Sequence, residues 1–284
     1  MEKYYSFAGI ELAICIPEDR IYQDERYLAP FRVDTVTDPH RYTFEMVESL
    51  TPPAGACIHA AGGFRVYQED AWQIRYIGSV ADSWKPAYIR VAHLGREHRV
   101  ELRQDQIPGR IGTNTVLNSI AAEHLVAQEG GFVFHSSYIC WQGKAILFTA
   151  PSGTGKSTQA ELWRSLRGAE VINGDRSVVR VTEDGVFACG IPFAGSSQCC
   201  KNQTLPLAAI VYLDQAPCTT IHRLQGFESF RRIWEGVSVN IWDKEDMALV
   251  SEAVERVARN VPVFYLPCTP DESAVTALEQ ALRE

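Results

Sequence analysis

Nine residues constrain this chain more than any others: Ala150-Pro151-Ser152-Gly153-Thr154-Gly155-Lys156-Ser157-Thr158. They follow the apolar run Ala145-Ile146-Leu147-Phe148-Thr149 and lead into Gln159-Ala160-Glu161-Leu162-Trp163. An apolar strand, a glycine-rich turn and a helix opening on Lys-Ser is the context a phosphate-binding loop requires. Gly153 and Gly155 allow the tight turn, so that successive N–H groups point into one concavity at a helix N-terminus. Residues Pro151, Ser152, Gly153, Thr154, Gly155, Lys156, Ser157 and Thr158 are therefore expected to hold the phosphates of ATP. Lys156 would serve as a mobile point charge toward the β- and γ-phosphates, and Ser157 as a ligand of Mg²⁺. Ala150 stands where the usual pattern has its first glycine. The competing reading is a Gly-Ser turn that happens to carry a lysine.

A local site is needed because the rest of the chain offers no general attraction to anions. The 284 residues carry a formal net charge of -8, which argues against nucleic acid and anionic membrane surfaces as partners. Hydrophobic residues at 46% and charged residues at 22% indicate a globular chain with room for two domains. Met1-Glu2-Lys3-Tyr4-Tyr5 lacks the basic-then-apolar pattern of a secretory signal, and no uncharged apolar run approaches ~18 residues. A cytoplasmic location is expected, and a homo-oligomer is left open. The eight cysteines include no C-x-x-C pair and read as reduced, mostly buried thiols. Cys199-Cys200 has a redox or soft-metal alternative.

The pattern changes along the chain. Residues 1–110 read as an antiparallel β-rich module, with strands at 4–16 pivoting on Gly9 and at 41–48, 64–68, 72–80, 88–93 and 98–103. Its histidines, His40, His59, His93 and His98, lie in separate segments without ligand spacing and read as ordinary strand and loop residues. Residues 111–130 read as a connecting helix, with apolar positions recurring at three and four, Thr113 as N-cap and Gly130-Gly131 as the stop. Residues 131–284 read as α/β. Strands are expected at 132–141, 145–149, 170–173, 178–182, 186–191, 207–213, 220–224 and 263–266, with a hairpin turn at Gln142-Gly143-Lys144. Helices are expected after the loop and at 227–235, 245–260 and 271–283. Asp175, at the C-terminal end of a strand after the loop helix, is placed where an α/β sheet opens its ligand crevice.

Phe134-His135-Ser136, Gly143 to Phe148, the loop, and Asn173-Gly174-Asp175 together resemble the HPr kinase/phosphorylase family, whose fold is related to phosphoenolpyruvate carboxykinase. Phe193-Ala194-Gly195 followed by Leu205 to Val211 is similar to that family's Phe-Gly turn and next strand. The resemblance covers about residues 130–215. It implies an HPr-kinase-like P-loop α/β domain behind the β-rich module, and ATP-dependent phosphorylation of a serine or other hydroxyl of a peptide, protein or small molecule. It further implies that Ser157 and Asp175 hold Mg²⁺, that Lys156 holds phosphate, and that His135 lies near the transferred group. His135 or Asp175 would take the hydroxyl proton. Where the family has two adjacent acids, this chain has Gly174-Asp175, so one carboxylate serves both roles or another group supplies the base. HPr itself is not the expected acceptor, because neither the front module nor an HPr-gripping segment matches.

Two alternatives remain open. Ala209 to Leu213 followed by Asp214 could be the metal-binding strand of a P-loop ATPase or nucleotide switch. A degenerate nucleotide-binding scaffold is the other. His135 as a buried strand histidine and Asp175 as a turn residue are the plain structural readings. Lys201, Arg223, Arg231 and Arg232 read either as contacts for an anionic substrate or as a solvated face.

Overall fold

Strand patterning of period two builds the front of the chain. The computed structural model describes residues 1–23, 27–78, 87–107, 110–195 and 198–283. Two units emerge, Met1–Ala121 and Ala122–Glu284. The first holds β1 (Glu2–Phe7), β2 (Ile10–Cys15), β3 (Ile21–Gln23), β4 (Arg32–Val33), β5 (His40–Val47), β6 (Ala56–Ala61), β7 (Phe64–Glu69), β8 (Trp72–Ile77), β9 (Ile89–Leu94), β10 (Glu97–Arg103) and β11 (Arg110–Gly112). Nine of them form one sheet in the order β4-β1-β2-β5-β10-β9-β8-β7-β6. Along β5, Tyr42 and Phe44 are buried while Thr43 and Glu45 face water, the alternation of a sheet with one covered face.

Two expectations are corrected here. The sheet is mixed, because β2–β5 and β5–β10 pair in parallel. Hairpins dictate antiparallel neighbours only for strands joined by short turns, and these pairs are separated by long connections. The histidines lie on strands as expected, and three of the four also meet. Register places His98 beside both partners, with Nε2 3.1 Å from His40 Nδ1 and Nδ1 2.9 Å from His93 Nδ1, and Tyr42 stacks on His98. Finally, the segment 111–130 is two helices, α1 (Thr113–Ser119) and α2 (Ala122–Gln128), parted by Ile120 in an extended conformation. Gly112, not Thr113, occupies the N-cap position of α1. The expected end of the 72–80 strand lies outside the described residues, as Ser79 and Val80 do. The strand β6 has no clean alternation and is mostly exposed, which hid it from pattern reading.

The second unit contains α2, β12 (Gly131–Trp141), β13 (Lys144–Thr149), α3 (Lys156–Arg167), β14 (Glu170–Asn173), β15 (Arg176–Thr182), β16 (Gly185–Cys189), β17 (Thr204–Gln215), β18 (His222–Leu224), α4 (Gly226–Trp234), β19 (Val237–Ser238), α5 (Lys244–Asn260), β20 (Val263–Cys268) and α6 (Glu272–Ala281). Gln142 and Gly143, both at positive φ (49° and 75°), close the β12–β13 hairpin as a two-residue turn of that hand demands. Two long strands are shared between pairings. The first half of β12 pairs β15 and its second half pairs β13, while β17 pairs β16 at 204–206 and β13 from 207 onward. The pairs β13–β12, β12–β15, β15–β16, β16–β17 and β17–β13 thereby close a ring.

Both faces of β13 are buried, which explains its unbroken apolar run. Ala145 and Leu147 join a core with Phe134, Tyr138 and Ile210 under α4 and α5. Ile146 and Phe148 join a second core with Val211, Leu266 and Trp163 under α3 and α6. The strand is therefore clamped between helix layers, and the loop that follows it starts from a rigid anchor. No helix among the described residues is long and apolar enough to cross a membrane.

Candidate functional site

The glycine-rich loop leaves the end of β13 and enters α3. Gly153 and Gly155 take φ of 80° and 121°, conformations that a side chain would strain, so the two glycines are required where the sequence places them. The helix ends in the matching manner: Gly168 at φ 66° follows α3, with its N–H on Arg164 O and that of Ala169 on Trp163 O. Lys156 is only 8% exposed, and its Nζ donates to the carbonyls of Ala150 (3.0 Å) and Pro151 (3.4 Å). Burial lowers its pKa, and the Asp175 carboxylate opposes that shift. Neutral carbonyls compensate a desolvated ammonium poorly, so the loop favours an anion that would bring it full charge. Ser157, Pro151, Ser152 and Thr158 are exposed around it, with Thr154 half-buried.

His135, on β12, and Asp175, in the bend just before β15, reach the same place because β12 and β15 pair. His135 opposes Arg176 in the β12–β15 register, and Ser136 N–H donates to Asp175 O at 3.0 Å. This puts His135 Nε2 3.4 Å from Asp175 Oδ1, while Arg176 Nε is 3.6 Å from Oδ2. Burial and the Lys156 cation hold the His135 pKa below 6.5, against the pull of Asp175. A neutral imidazole beside a carboxylate is competent to accept a proton. His135, Asp175, Arg176, Glu235 and Gly236 line a cavity of about 240 Å³.

The sequence reading missed the residue that sets Asp175. Asn173 is fully buried; its Oδ1 accepts the N–H groups of Asp175 (2.9 Å) and Arg176 (3.1 Å), and its Nδ2 donates to Ile191 O (3.2 Å) and Phe193 O (2.9 Å). An Asn before Gly-Asp was the available signal, because such a side chain fixes the turn two residues on. Gly195 then closes over Asp175 so tightly that a Cβ there would lie 2.7 Å from Asp175 Cγ. Gly236 is equally enclosed, by Phe134 and Thr149 Oγ1 at 2.6 Å.

Other candidates fall elsewhere. Asp214, at the end of β17, accepts from Tyr265 Oη (2.9 Å) and from the N–H of Gln215 (2.8 Å). Lys201 pairs with Glu170, and Arg231 and Arg232 with Glu228 and Glu235, whereas Arg223 makes no ion pair among the described residues. The eight cysteines are all thiols; burial pushes Cys200 up to about 11, which removes thiolate character at neutral pH. His124, Asp243 and Asp246 bring donor atoms within 4.8 Å of one another. Structural roles account for them: Asp243 caps α5, and the buried Asp246 carboxylate accepts from His124 Nδ1 (2.8 Å) and Asn240 Nδ2 (2.7 Å).

No protein-family model and no curated protein matches the sequence. Among solved structures the chain is similar to the HPr(Ser) kinase/phosphatase from Coxiella burnetii, at 11% identity and a TM-score of 0.32, over 53% of this chain and 97% of that chain. A likeness of that strength defines neither the fold nor the chemistry of this chain.

Proposed function

We propose that this chain is an ATP-dependent phosphotransferase of the HPr kinase type, acting in the cytoplasm on a serine or other hydroxyl of a peptide, protein or small molecule. The observation that carries the reading is the His135 Nε2 to Asp175 Oδ1 contact of 3.4 Å, electrostatically coupled to Lys156 at the glycine-rich loop. The loop N–H groups and Lys156 hold the triphosphate and neutralise charge that grows on the leaving oxygen. The acceptor oxygen forms a bond to the γ-phosphorus as the bond to the β-bridging oxygen breaks, releasing ADP. The acceptor proton passes to the His135 imidazole, which Asp175 orients and stabilises once charged. An exposed hydroxyl and a carboxylate are the hard oxygen donors that suit Mg²⁺, so Ser157 and Asp175 would hold it, and it would supply further charge neutralisation.

Labelled ATP, Mg²⁺ and candidate hydroxyl acceptors test the reading, with Lys156→Ala as control. A labelled acceptor supports it; hydrolysis with no labelled acceptor overturns kinase activity in favour of an ATPase. In that case Asp214→Asn, and not Asp175→Asn, abolishes Mg²⁺-dependent binding. Tight nucleotide binding without turnover identifies a scaffold instead.

A further inference from the structure

Beside the glycine-rich loop, on the side of β17 and β20, lies a cavity of about 610 Å³. Its floor is the loop itself, at Gly153 to Gly155, and its walls are chiefly apolar: Leu213, Ala216, Pro217 and Pro270. Gln159, in the first turn of α3, also lines it. That side chain is 2% exposed, and its Oε1 has no hydrogen-bond partner among the described residues. Its Nε2 donates to the Cys268 sulfur, at 3.4 Å. A buried amide oxygen without a donor is costly, and the Cys268 contact occupies the Nε2 side of the amide, so Oε1 is the atom left in need of a donor.

Three features therefore coincide: room for a nucleoside, largely apolar walls against which a purine ring can pack, and one buried acceptor in need of a donor. The cavity adjoins the first turn of α3 at Thr158, so a base lodged there leaves its phosphates at the loop. We infer that this cavity is a nucleobase pocket selective for adenine, with Gln159 Oε1 accepting from the 6-amino group. Guanine and hypoxanthine present a 6-oxo group at that point and would set acceptor against acceptor. This specificity rests on the nucleotide reading proposed above, but its test does not depend on catalysis.

Calorimetry on the full chain with Mg²⁺ compares ATP, inosine triphosphate, GTP and inorganic tripolyphosphate. ATP is expected to bind roughly 10-fold or more tighter than inosine triphosphate, the scale of one buried hydrogen bond gained or opposed. Gln159→Met, which keeps the shape of the side chain, brings that ratio near one and leaves tripolyphosphate affinity unchanged. Ala216→Phe fills the cavity from its half-exposed wall and gives the same pattern by a different route. Equal affinity for ATP and inosine triphosphate in the unsubstituted chain overturns the inference, as does a ratio that survives both substitutions. If tripolyphosphate binds in a Lys156-dependent manner while the bases are not distinguished, only the base pocket is refuted. If neither tripolyphosphate nor ATP binds, the nucleotide reading itself falls.

Discussion

Replacing Asn173 by Ala removes a buried side chain that makes four hydrogen bonds, two accepted from the Asp175 turn and two donated to the 191–193 segment. At about 1 kcal/mol net apiece the sum is ~4 kcal/mol. The N–H groups of Asp175 and Arg176 lie in a part-buried turn and recover some of this from water, which brings the expected loss to about 3 kcal/mol. With an m-value of about 2 kcal/mol/M in urea, the unfolding midpoint of the second unit falls by ~1.5 M. Trp141, Trp163, Trp234 and Trp242, four of the six tryptophans, belong to that unit, so fluorescence follows its transition. Asn173→Asp provides the contrast. It keeps an acceptor for the two N–H groups but aims a second oxygen at two carbonyls, which favours the protonated carboxyl in the fold. A carboxyl favoured as protonated in the fold gives stability that is present at low pH and lost as pH rises, so acidification narrows the gap to the unsubstituted chain. Both variants free Asp175, so under the proposed function phosphotransfer slows. A midpoint shift under ~0.3 M for Asn173→Ala would falsify the assignment of Asn173 as the organiser of this turn.

Lys156→Met is expected to leave thermal stability equal or higher, because it removes a desolvated cation held only by two carbonyls, while tripolyphosphate affinity drops by roughly 10-fold or more; an unchanged affinity in calorimetry excludes the lysine from the site. Burial first and Lys156 second lower the His135 pKa below 6.5, so the neutral imidazole prevails at and above that pH. The rate of the proposed phosphotransfer is accordingly flat above pH 6.5 and falls on acidification below it, and His135→Gln loses both rate and limb; a limb centred above 6.5 contradicts this. Gly195→Ala places a methyl 2.7 to 2.9 Å from the Asp175 carboxyl atoms, so activity falls sharply while the fold persists by circular dichroism; full activity shows that Asp175 has room to move.

The second unit was largely legible because its signals are local. Gly153, Gly155 and the Lys156 helix start specify the loop from neighbouring residues alone, and Gln142-Gly143 specifies the hairpin that pairs β12, from Ser136 onward, with β13. The early acid after the loop helix likewise announces itself by position. Asn173 was visible only as one letter in Asn-Gly-Asp, since two of its partners lie 18 and 20 residues away. The α1–α2 break was illegible: Ile120 and Ala121 keep the helical apolar spacing, yet Ile120 is extended and Ala121 N–H meets the Tyr42 hydroxyl at 3.4 Å, 79 residues distant.

By itself, the sequence determined most strands and helices of the second unit, where the loop turns and which residue types surround it, because these follow from side-chain period, backbone conformational preference and capping within a few residues. Tertiary structure alone decided the parallel partners in the first sheet, the contact of His40, His93 and His98, the ring through β12 and β17, and the approach of His135 to Asp175. Each of those is a choice of register and neighbour across long separations, settled by which faces can be buried together.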